Sequence, residues 1–175
     1  MRDLMVAADL QRELIEEITT VLKDIVTTKA DGTETTGFTG YEQYLPVIKN
    51  DDEDPDQFFP YFLVRIGEGK VDPNDGFPLW YVSVNVYVAI HDEDLHNRGH
   101  YSLLTAITRI LSRFDSMATL GEPGYMAYRC DSTSTTWALQ DDDTYPYFFG
   151  AVQLYFWLPM QGRKELNNGW EACQI

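Results

Sequence analysis

The chain has little cysteine, histidine or basic side chain, and it has no long hydrophobic run. Cys130 and Cys173 are its only cysteines, too few for a disulfide framework and without the CxxC spacing of zinc or redox sites. Both are expected to be reduced and structural. No stretch approaches the ~18 uninterrupted apolar residues of a membrane span. The opening "MRDLMVAADLQRELIEE" turns acidic too soon for a secretion signal, so a cytoplasmic protein with no membrane partner is expected. Lysine and arginine number 13 against 28 acids, a formal charge of minus 15. Such a surface repels phosphate backbones and anionic headgroups, which argues against tight nucleic-acid binding.

What the chain does have is core material. A hydrophobic share of 44% over 175 residues suits one domain with a full interior and argues against disorder over most of its length. Leu10, Leu14, Ile15, Ile18, Val21, Leu22 and Ile25 recur at three- and four-residue steps, predicting an amphipathic helix over 8–26. Leu103, Leu104, Ile107, Ile110, Leu111 and Phe114 predict a second over 97–114. Apolar and β-branched runs predict strands at 58–66, 79–90 and 147–160 and an extended segment at 125–140. "GEGKVDPNDGFP" reads as the hairpin turn between the first two strands. Little periodicity marks 27–57 beyond "YEQYLPVI" at 41–48, so it reads as an interaction arm with one short strand. Residues 161–175 read as a C-terminal tail over the surface. The order predicts a single α+β domain over 1–175. It is a mainly antiparallel sheet of four to five strands with two helices packed on one face and a long arm after helix 1.

All three histidines fall in "IHDEDLHNRGH", residues 90–100, beside three acids. His96 and His100, four apart, could share a helical face as zinc ligands do. His91 instead follows the last strand residue and the helical period begins only near Tyr101. The expectation is therefore a solvated strand-to-helix connection whose acids complement the helix dipole. No Gly-x-Ser-x-Gly elbow, activated thiolate or Walker spacing is present. "QDDDTYP" at 140–146 lacks the spread of ligands in a calcium loop and reads as a turn, and "NDDEDPD" at 50–56 reads as a solvated charge run. No catalytic, cofactor-binding or metal-ligating residue is assigned, and the chain is not expected to be an enzyme.

The last strand resists a plain reading. Phe148, Val152, Leu154, Phe156 and Leu158 form a core face, and Tyr147, Phe149, Ala151, Tyr155 and Trp157 make the opposite face apolar as well. With helices on one side only, that second face must be covered by the arm, the tail or another subunit; another subunit is preferred. The candidate subunit-interface residues are Tyr147, Phe149, Tyr155 and Trp157, with Tyr41 and Tyr44 from the arm.

The element order, "HDEDLHNRG", "YSLLTAITRILSRF" and "WALQDDDTYPYFFGAVQLYFWLP" together resemble the tail terminator or tail completion proteins of long-tailed bacteriophages and prophages. Trp137, Gln140, Asp141 to Asp143, Tyr145-Pro146, Gly150 and Trp157 carry most of the likeness, which spans roughly residues 5 to 160. The resemblance implies an α+β subunit of a ring, usually of six copies, assembled in the host bacterial cytoplasm and present in the virion. That ring caps the head-proximal end of the tail tube, ends tube growth and docks to the head–tail connector, with DNA passing through its lumen without tight binding. Two alternatives stay open. One is another neck component, a head-closure or connector-adaptor protein; the other is a small metal- or ligand-binding enzyme domain using the histidine loop.

Overall fold

The computed structural model describes residues 7–29, 31–48, 54–72, 79–96, 98–115, 119–120, 127–129 and 135–159. Helix α1 (Ala7–Leu22) sets Leu10, Leu14, Ile18 and Leu22 in one fully buried stripe. It ends short of the predicted residue 26 because the β-branched run Val-Thr-Thr favours extended backbone, and Ile25 reaches the core from the intervening turn.

The described residues between 26 and 58 hold more than one strand. Strands β1 (Val26–Thr28) and β2 (Glu34–Thr36) form an antiparallel hairpin. Its turn uses Gly32 at φ 80° and the Asp31 carboxylate, which accepts from the Thr33 N–H at 2.8 Å. Strand β3 (Thr39–Glu42) joins the main sheet as its one parallel partner, and a short 3-10 turn (Pro55–Phe58) is capped by Asp54. The expectation of an arm with a single strand is thus corrected to three strands and a turn. The threonines and glycines that look loop-like in sequence make a tight hairpin instead.

The sheet's long strands are β4 (Tyr61–Asp72), β5 (Leu79–His91) and β9 (Tyr147–Pro159), all antiparallel neighbours. Short strands β6 (Thr119–Leu120), β7 (Ala127–Arg129) and β8 (Thr136–Leu139) complete it in the order β3-β4-β5-β9-β7-β6, with β8 also on β9. Five of these strands have four residues or more, which matches the predicted α+β, mainly antiparallel sheet. Strand β4 overturns one expectation. "GEGKVD" is not a turn but the end of this strand, past a register shift between Ile66 and Gly69. Phe58 to Pro60, placed in that strand by sequence, belong to the 3-10 turn and the step after it. Cys130, Cys173, the charge run at 50–53 and the 161–175 tail lie outside the described residues.

Helix α2 (Arg98–Arg113) packs beside α1 on the same sheet face, over Val84, Val86, Val88, Leu154 and Phe156, all essentially buried. Two ion pairs at the surface tie α2 to α1 and its end: Arg113 with Glu17 of α1, and Arg109 with Asp24 in the turn that follows α1. No described helix is long and apolar enough to cross a membrane.

Candidate interaction surface

The histidine loop is partly structural. Asp92, only 2% exposed, accepts from the Thr28 N–H at 2.8 Å and the Asp94 N–H at 2.9 Å. Its own N–H donates to the Pro146 carbonyl, and the Glu93 N–H donates to the Thr28 carbonyl. Asp92 therefore fastens the β1–β2 hairpin to the end of β5 through its carboxylate and the β8–β9 connection through its backbone N–H. A solvated connection understates this segment, and nothing in the spacing of the three acids distinguishes the one that is buried.

His91 closes β5. Its ring stacks on Tyr147 with centroids 4.8 Å apart, and its Nδ1 lies 3.6 Å from an Asp56 oxygen. Its Nε2 is 2.9 Å from Glu93 Oε1 but out of line for a hydrogen bond. His96 and His100 are exposed on a cleft of about 470 Å³ also lined by Gln140, Asp142, Asp143 and Tyr145. Among the described residues no three His, Cys, Asp or Glu side chains converge as metal ligands would.

The sheet face turned away from the helices has two unlike ends. At one end Phe59 packs against Tyr61, Tyr147, Phe149 and His91 with centroids 5.0 to 6.2 Å apart. Tyr41 meets Phe58 and Tyr61 edge-on. Tyr147 Oη donates to the Asp56 carboxylate at 3.1 Å. That hydrogen bond to an anion is the main reason the Tyr147 hydroxyl titrates above its ordinary range, with burial and the charges of Asp54 and Glu93 adding to it. Burial raises the Tyr41 and Tyr61 hydroxyls in the same direction. Residues 54–60 therefore cover this end from within the chain.

The other end carries Tyr81, Ser83, Asn85, Tyr87, Gln153, Tyr155 and Trp157. Tyr81 and Trp157 meet edge-on at 5.0 Å, and the Trp157 indole N–H is buried with no acceptor among the described residues. The Arg65 guanidinium lies over Tyr44 and Tyr87, 5.4 and 5.1 Å from their centroids, and its Nε donates to the Gln43 carbonyl at 2.7 Å. Gln43, held at φ 56°, accepts through its Oε1 from the Ile66 N–H at 2.6 Å and from Gln11 Nε2, 32 residues earlier, at 2.9 Å. The buried Gln11 amide also donates to the Val64 carbonyl, so α1 fixes the backbone that positions Arg65 and Tyr44.

Of the six interface candidates, Tyr41, Tyr147 and Phe149 are engaged by their own chain. Tyr155 and Trp157 sit half-buried at the end that residues 54–60 do not cover, and Tyr44 is 72% exposed beside it. Arg65 escaped the sequence reading because an alternating strand does not reveal which polar residue will find aromatic neighbours across the sheet. No family model and no curated protein matches this chain.

Proposed function

We propose that the chain is a structural protein of a tailed phage or prophage that works by assembling into a ring, as tail terminators do at the head-proximal end of the tail tube. The observation that carries this reading is strand β9. It is apolar on both faces, and among the described residues only one end of its outer face has cover, from residues 54–60. Monomers rarely leave such a surface open, and aromatic side chains are the usual anchors of subunit contacts. The charge of minus 15 suits a channel whose wall must let DNA slide without gripping it. A head-closure or connector-adaptor role would use the same ring and the same charge. Negative-stain images of the purified chain are the test: annular particles are expected, and compact single subunits at every concentration would count against the reading.

A second reading, a metal-binding domain, starts from the cleft shared by His96, His100, Asp142 and Asp143, although among the described residues no three such side chains converge as metal ligands would. Calorimetric titration with zinc decides it. One-to-one binding in the micromolar range, abolished by His100→Ala, would favour a metal-binding domain over the ring protein.

A further inference from the structure

The two least accounted-for charged features of the surface are a guanidinium without a carboxylate and a run of carboxylates without a cation. Arg12, Arg98, Arg109 and Arg113 each pair with an acid, and Arg65 is the exception among arginines whose side chains are described. Its Nε is spent on the Gln43 carbonyl, while its terminal nitrogens have no acceptor among the described residues. Stacking on Tyr44 and Tyr87 holds the planar fork in place, which favours two-pronged recognition of a carboxylate. Lys23 and Lys29 are also without ion pairs, but they are exposed point charges on flexible stems and lack such a platform.

Asp141, Asp142 and Asp143 are all exposed and carry no ion pair among the described residues. Their turn is nevertheless firmly presented. The Gln140 N–H donates to the Phe149 carbonyl at 3.0 Å, the Tyr147 N–H to the Thr144 carbonyl at 2.8 Å, and Tyr145 Oη to the Glu93 carbonyl at 3.1 Å. The two features do not meet within one molecule. Arg65 aligns with Asn85, Gln153 and Thr136, three strand spacings from β8, whereas the turn begins beyond the Leu139–Gly150 pair. Strand geometry separates them by on the order of 20 Å.

We propose that Arg65, on its tyrosine platform, receives the Asp141–Asp143 turn of a second copy of this chain. Joining two different patches gives a head-to-tail contact, the kind that closes a ring when the rotation permits. It also supplies a specific attraction between copies whose net charges repel. This inference rests on the ring reading and names the contact that would hold neighbouring subunits together.

Light scattering after size exclusion, at rising ionic strength, tests it with four proteins: wild type, Arg65→Glu, Asp142→Arg and the double variant. Arg65→Gln serves as a milder change, and circular dichroism checks that each variant is folded. Each single reversal is expected to weaken assembly about tenfold or more, and the double variant to recover most of that loss, as a direct charge pair requires. Salt screens both the pair and the repulsion between net charges, so rising ionic strength should favour wild-type assembly less than that of Arg65→Gln. A wild-type ring left unchanged by the reversals, or singles not rescued by the double, overturns this contact alone. A wild type that never assembles overturns the ring reading and this contact with it.

Discussion

Asp92 is the residue on which the histidine loop turns, and its role is structural. Removing the carboxylate leaves the partly buried Thr28 and Asp94 N–H groups without their acceptor. Asp92→Ala is expected to cost about 2–3 kcal/mol, with Asp92→Asn costing less because an amide oxygen can serve one of the two donors. Urea unfolding measures both, and equal losses would point away from the hydrogen bonds as the cause. Tyr147 gives a pH signature at the same end of the sheet. Its hydroxyl pKa is raised by Asp56, so the stabilising effect of that hydrogen bond is full below the unfolded value near 10.0 and disappears as pH rises through the folded value. Ultraviolet titration of Asp56→Ala should show one tyrosine ionising at lower pH than in the wild type. No change would mean that residues 54–60 do not sit on the sheet in solution.

At the scale of elements, the helices and long strands were legible because their periods are strong. The alternation of β5 and β9 placed Val82 to Ile90 and Phe148 to Leu158 on the core face, where they are found. The β1–β2 hairpin and β3 were not legible, since three- and four-residue strands leave no period and β3 depends on a parallel partner some twenty residues on. The extension of β4 through "GEGKVD" was hidden by its glycines. At Gly67 a Cβ would sit 2.6 Å from Ser83 Oγ, so a larger residue there would require the serine hydroxyl to turn aside. Packing also reverses a propensity at Gly99. In a helix Ala normally gains about 1 kcal/mol over Gly. Here a Cβ would meet the Phe148 ring at 2.5 Å and the Asp92 Cβ at 2.8 Å. Gly99→Ala is therefore expected to destabilise by about 1–3 kcal/mol, and a thermal melt shifted upward would refute that packing. The helix pair has its own pH dependence. Hydrogen bonding to Arg109 holds the Asp24 carboxyl below its usual 3.8. Its contribution is present above that value and is lost as pH falls through the depressed one, so Arg109→Met should flatten the acid limb of the stability curve.

For the whole molecule, charge and surface point the same way. At minus 15 the chain should hold duplex DNA more weakly than the roughly 10⁻⁴ M at the loose end of non-specific binding, readable by fluorescence anisotropy. The aromatic outer face was visible in sequence as the second apolar side of β9, and its division into an end covered by residues 54–60 and an end they leave uncovered was not. That division depends on where Phe59 and Arg65 come to rest, which only the paired sheet determines. In the proposed ring, the end of the outer face that residues 54–60 leave uncovered is a contact between copies. Light scattering coupled to size exclusion, over a wide range of protein concentration, tests it most directly. A discrete species of about six subunits at the higher concentrations is the predicted result, and a single mass of 20.1 kDa throughout would contradict it.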